Sequence, residues 1–250
     1  MNTDTQIATG NTAEIYLYNN RIVKVFNDYL PDTESEMEAV KQQFAFSSGL
    51  PVPEVFDLGQ FKGKQAIMME YIKGRTLGDL YMSNREQAEY YLSISVEIQQ
   101  KIHRVIPDLG ASELMYNKLC RQIKEADSLT EKLKNNLLRK LDTMTFENRL
   151  CHGDFHLFNL ISADGKVYII DWVDSSAGDI RADVCRTYLL YSRHFSELAD
   201  SYLQCYCKKS GLLKEEILQW APIIAGARLS KYVSTENAAQ WIEIINNYRL

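Results

Sequence analysis

Apolar and polar residues alternate along the first stretch of the chain. Glu14-Ile15-Tyr16-Leu17-Tyr18 and Arg21-Ile22-Val23-Lys24-Val25-Phe26 read as two strands, and Asn19-Asn20 between them as a tight hairpin. The period changes after Glu34. Met37, Val40 and Phe44 recur at helical spacing behind an acidic first turn, and Gly49 with Pro51-Val52-Pro53 ends that helix near Ser47. Val55-Phe56-Asp57-Leu58-Gly59 and Gln65-Ala66-Ile67-Met68-Met69-Glu70 predict two more strands. After Gly74 the pattern turns helical: a long periodic run from Arg85 to Ile106, then helices over Glu113 to Ala126 and Thr130 to Leu141. Short apolar runs return between Leu150 and Trp172, including Lys166-Val167-Tyr168-Ile169-Ile170, before helices resume near Arg181. The pattern predicts an α+β chain. Residues 1–73 would form a small antiparallel sheet with one helix, residues 74–250 a larger and mainly helical part, with the boundary between Glu70 and Gly74.

Composition narrows the function classes. Hydrophobic residues make up 46% and charged residues 24%, with a net charge of −5, as in an ordinary globular protein. No apolar run has the length of a membrane span, and the polar N-terminus lacks the basic and apolar regions of a secretory signal, so a cytoplasmic setting without membrane contact is expected. No basic block stands out, which argues against a nucleic-acid partner. Cys120, Cys151, Cys185, Cys205 and Cys207 are odd in number and form no metal-ligand spacing, so reduced thiols are expected.

Polar chemistry concentrates in Cys151-His152-Gly153-Asp154-Phe155-His156-Leu157-Phe158-Asn159, followed by Ile169-Ile170-Asp171-Trp172. Mg²⁺ takes oxygen ligands and is usually completed by water and phosphate. One carboxylate and one amide, Asp171 and Asn159, suit it, which leaves Asp154 to face an acceptor hydroxyl. Gly10, Asn11 and Thr12 precede a strand where small residues would let backbone N–H groups approach phosphate oxygens; a plain hairpin turn has the same signature. Lys24 stands among valines in mid-strand, a place for a cation only if it has a partner. Glu34, Glu36 and Glu38 on the following helix are the candidates.

His-Gly-Asp-x-x-x-x-Asn followed by Ile-Asp-Trp resembles the motif of the aminoglycoside phosphotransferase and choline kinase superfamily, related in fold to protein kinases. The resemblance implies a bilobal protein-kinase-like fold, with ATP (GTP the alternative) and Mg²⁺ as cofactors. It implies transfer of a phosphate to a hydroxyl of a small molecule such as an antibiotic, amino alcohol or sugar. A compact protein kinase and a nucleotide-binding module without turnover are the other readings. By the same resemblance Asp154 is the catalytic base, and Asn159 and Asp171 the metal ligands. Lys24 holds the α- and β-phosphates with Glu38 as its helix partner (Glu36 the alternative), and Met69, Glu70 and Ile72 form the adenine-binding hinge through their backbone. His156 either touches the γ-phosphate or packs; His103 ends its helix in a structural role. His152 and Asp183 support the catalytic loop. Asp174 and Asp179 either line the acceptor side, where they would suit a cationic substrate, or are surface turn residues. A monomer or weak homodimer is expected.

Overall fold

The computed structural model describes residues 4–10, 12–110, 112–230 and 238–247. Five strands open the chain: β1 (Thr5–Thr9), β2 (Ala13–Tyr18), β3 (Arg21–Phe26), then, after helix α1 (Glu34–Ser47), β4 (Val55–Phe61) and β5 (Lys64–Glu70). They pair antiparallel in the order β1-β2-β3-β5-β4. β6 (Arg75–Thr76) and α2 (Leu77–Ser83) follow, then α3 (Ala88–His103), α4 (Met115–Glu125) and α5 (Glu131–Asp142). β7 (Arg149–Cys151), β8 (Leu160–Ala163), β9 (Lys166–Ile169) and β10 (Ser176–Gly178) precede α6 (Ile180–Ser192) and α7 (Ser196–Ser210). α8 (Lys214–Leu218), α9 (Ala221–Arg228) and α10 (Ala238–Asn247) complete the described chain.

Two compact units result. The first joins Met1–Ser83 with Leu157–Val173, and the second joins Asn84–His156 with Asp174–Leu250. The first unit extends past residue 73 because backbone pairing carries it there: Arg75 and Thr76 register with Ser162 and Ile161. The expected single division at 73/74 and this grouping therefore differ by β6, α2 and the 157–173 segment.

In the first unit, turn chemistry fixes the hairpins. Asn19 and Asn20 both have positive φ (48° and 59°) between paired Tyr18 and Arg21, which is the two-residue turn whose twist suits a hairpin. Lys62-Gly63 and Asp164-Gly165 repeat the device. β1, which the alternation did not predict, is exposed at every position and so carries no buried face to betray it.

β3 is central, and the period of two sorts its side chains. Val23 and Val25 join Tyr16 and Ala66 in one apolar cluster; Phe26 joins Ala13, Ile67 and Met69 in another that includes Ala39 of α1. Lys24 shares the Phe26 side and so points toward α1. The apolar trio that marks this helix is not its buried face: Met37 and Val40 are 49% and 41% exposed, whereas Glu38, Ala39, Gln42 and Ala45 are buried. Polar partners decide the rotation, since Gln42 Nε2 donates to the Pro53 carbonyl at 2.8 Å and Glu38 meets Lys24.

In the second unit, α3, α6 and α7 enclose a polar centre around Asp183. Trp220, Tyr202, Tyr206 and Leu137 are among its fully buried side chains. The five cysteines are free thiols.

Candidate active site

The first unit assembles a charged cluster from distant parts of the sequence. Lys24 Nζ lies 2.6 Å from Glu38 Oε1 and 3.0 Å from Asp171 Oδ1. Burial works against the Lys24 charge, but the carboxylates of Glu38 and Asp171 outweigh it and hold the ammonium well above the usual lysine range. Burial likewise lifts the Glu38 carboxyl, opposed by Lys24. Of the three candidate glutamates, Glu38 is the one that meets the lysine; Glu34 and Glu36 stand in the first turn of α1.

Asp171 adopts φ +66°, a left-handed conformation that aspartate tolerates better than most residues. The segment around it is held at several points: Trp172 is fully buried, its Nε1 donates to the Ile169 carbonyl at 3.3 Å, and Lys41 Nζ donates to the Val173 carbonyl at 2.6 Å. Asn159, buried, closes a short 3₁₀ turn over Leu157–Asn159, and its carbonyl accepts the Ile170 N–H at 3.0 Å. That bond ties the residues before Asp171 to the residue bearing the amide.

The other expected residues of this unit are backbone elements. Gly10 N–H donates to the Ala13 carbonyl at 2.8 Å where β1 turns into β2, and the Thr12 carbonyl accepts from Asn27. Asn11 lies outside the described residues. Met69 and Ile72 are buried, and Glu70 donates its N–H to the Glu54 carbonyl.

The second unit holds the loop around Asp154. Gly153 sits at φ +79°, and a Cβ there would meet the Asp174 carbonyl at 2.2 Å. Only glycine fits. Gly153→Ala is therefore expected to lower stability by about 3 kcal/mol, read as a fall in melting temperature. His152, wholly buried, accepts the Asp154 N–H on Nδ1 at 3.3 Å and packs edge-on against Phe155. Asp183 accepts the Gly153 N–H on Oδ1 at 2.7 Å, while His103 Nε2 and Gln99 Nε2 reach its Oδ2 at 2.9 and 3.1 Å. His103 Nδ1 lies 2.7 Å from the Tyr206 hydroxyl. Burial alone would lift the Asp183 carboxyl; the His103, Gly153 and Gln99 contacts outweigh it and hold it at about 2.

Asp154 faces a nitrogen on each oxygen: His156 Nε2 at 3.6 Å from Oδ2 and Arg186 Nη2 at 3.7 Å from Oδ1. Burial pushes its carboxyl up, but the neighbouring His156 and Arg186 prevail and hold it well below the usual carboxylate range.

A family model described as the phosphotransferase enzyme family matches residues 5–218. The chain belongs to that family. Solved structures share the fold of this phosphotransferase. A thermostable mutant of aminoglycoside phosphotransferase APH(4)-Ia, in ternary complex with ADP and hygromycin B, superposes with a TM-score of 0.73 at 15% identity, over 98% of this chain and 92% of that one. ADP-bound aminoglycoside phosphotransferase APH(2'')-Ib gives 0.67 at 17% identity, over 98% and 91%. A choline/ethanolamine kinase family protein from Mesorhizobium loti gives 0.63 at 12% identity, over 98% and 86%. No curated protein sequence matches the chain. The α+β kinase-like fold expected from the sequence is thereby established. Among the described residues of the phosphotransferase, no helix is long and apolar enough to cross a membrane.

Two residues expected either on the acceptor side or in surface turns are buried and paired. Asp179 is buried, not a surface turn residue. Its Oδ1 caps α6 by accepting the Arg181 N–H at 2.7 Å, and the Arg181 guanidinium chelates both oxygens. Asp174 is also buried and bonded to Lys118 and Arg186. Each carboxylate is thus paired with internal cations. Sequence reasoning passed over Arg186, Lys118 and Gln99 of the phosphotransferase. The available signal was helical spacing: Gln99 shares a face with His103, and Arg186 with Asp183.

Proposed function

We propose that the chain transfers the γ-phosphate of ATP to a hydroxyl of a small molecule. What supports this most is the Lys24–Glu38–Asp171 cluster, a buried strand ammonium tethered by one carboxylate and shared with a second. An ammonium so held is charged and aimed, as gripping the α- and β-phosphates requires. Asp171 and Asn159 would hold Mg²⁺. A carboxylate and a buried amide are the hard oxygen donors it prefers, and the Ile170–Asn159 backbone bond keeps their segments together. Mg²⁺, when bound, neutralises charge on the phosphate oxygens. Gly10 and Thr12 would cover the phosphates, and the backbone of Met69, Glu70 and Ile72 would receive the base.

Asp154 orients the acceptor. Held ionised by His156 and Arg186, it is too weak a base to ionise an alcohol beforehand. It accepts a hydrogen bond from the hydroxyl and takes the proton as the new P–O bond forms. The bond from the γ-phosphorus to its bridging oxygen breaks at the same time, and ADP leaves with the electron pair. Phosphoryl transfer asks little more of a protein than such positioning and charge neutralisation. The reaction belongs in the cytoplasm, where ATP is held. Because Asp174 and Asp179 are internally paired, neutral hydroxyl compounds belong in the acceptor set beside amino alcohols and aminoglycosides.

The test is ADP release across neutral sugars and polyols, amino alcohols and aminoglycosides, with ATP or GTP as donor. An acceptor-stimulated, Mg²⁺-dependent rate is expected for one class. Magnesium-dependent ATP binding with no transfer to any acceptor, water included, would leave a nucleotide-binding module and overturn the reading.

A further inference from the structure

We propose that Arg186 is a positioning residue for Asp154, holding its carboxylate in the orientation that receives the acceptor hydroxyl. The proposal rests on the phosphotransfer reading above. α6 braces the catalytic loop twice. Asp183 takes the Gly153 N–H, and Arg186, on the same helical face, delivers its guanidinium to the acidic side chain that follows.

The guanidinium cannot swing freely, because its strong contact lies elsewhere. Arg186 Nη2 donates to Asp174 Oδ2 at 3.0 Å, and Asp174 is itself anchored: Lys118 Nζ of α4 donates to its backbone carbonyl at 2.5 Å and to Oδ1 at 3.2 Å. The same carbonyl occupies the space a Cβ at position 153 would need. Arg186, Asp174, Lys118 and Gly153 therefore form one buried frame beside Asp154.

The distances give the frame its meaning. At 3.7 Å from Arg186 and 3.6 Å from His156, Asp154 lies beyond ordinary hydrogen-bond length from both. Arg186 steers the carboxylate by charge at a distance too long for it to chelate Asp154. An arginine chelating Asp154 outright would block the acceptor; tethering it to Asp174 prevents that. Arg186 keeps this pose although its buried Nε has no hydrogen-bond partner among the described residues, a cost that packing alone does not explain.

The experiment measures kcat and the KM for ATP with the acceptor found in the screen, or with water where basal ATP hydrolysis is read. Arg186→Gln should lower kcat by about 10- to 100-fold with little change in the KM for ATP, and Arg186→Lys, which keeps the charge, should recover part of the loss. In an Asp154→Ala background the same Arg186→Gln change should cost less than about threefold, because the group it serves is gone. Equal losses in both backgrounds, or a loss confined to the KM for ATP, would overturn the proposal in favour of a structural arginine. Should Arg186→Gln fail to fold, Arg186→Lys measured in the two backgrounds makes the same distinction. A wild-type protein that transfers phosphate to nothing would refute the phosphotransfer reading before any variant is compared.

Discussion

Asp154→Ala should lower phosphoryl transfer by about 10²- to 10⁴-fold and leave binding of Mg·ATP nearly unchanged. In the proposed reaction the carboxylate orients the acceptor and takes its proton, and the cluster proposed to grip the nucleotide is built from other residues: Lys24, Glu38 and Asp171. Asp171→Ala should do the opposite, weakening the metal-bound nucleotide itself. Single-turnover transfer and equilibrium nucleotide binding, measured on both variants, separate the two roles. Identical behaviour in both assays would sink the assignment. Asp154→Asn sharpens the test: it keeps the size and removes the charge, so a loss similar to that of alanine would identify the ionised carboxylate as the working group.

Asp183→Ala is expected to produce the largest loss of stability, about 3–5 kcal/mol, because truncation strands several buried partners at once. The Gly153 N–H, His103 and the Gln99 amide would all face an empty, water-poor space. Urea unfolding measures the change, and a loss under about 1 kcal/mol would contradict this network. The same residue predicts a pH dependence. Its folded carboxyl titrates at about 2, below the ~3.9 of an unperturbed aspartate, so folding favours the ionised form. That stabilisation, on the order of 2–3 kcal/mol, is complete above pH ~4 and fades as the pH falls toward 2. In the alanine variant this part of the acid limb should vanish.

The sequence carried the local decisions. Paired asparagines at positions 19 and 20 dictate a two-residue hairpin whatever surrounds them, because both adopt positive φ. The helix from Glu34 to Ser47 follows from spacing and its stop signal. The His152–Asn159 segment was legible as chemistry because polar residues of those types rarely crowd an apolar context without a task. A lysine between valines likewise announced that a partner must exist.

Which partner, and which face, were not local questions. Glu38 was only the preferred one of three glutamates until α1 took its rotation, and that rotation exposes Met37 and Val40 to bury Glu38 and Gln42. Apolar spacing alone points the other way; the hydrogen bonds of two buried polar groups outweighed it. Asp174 and Asp179 read as available negative charges, since nothing along the chain reveals that Lys118 and Arg181 will consume them. Helical spacing could place Arg186 on the Asp183 face, but not show that it stands near Asp154 while bonding Asp174. Charge pairing across long sequence separations depends on distance in space, falling with every ångström and with every water between, and folding alone sets that distance.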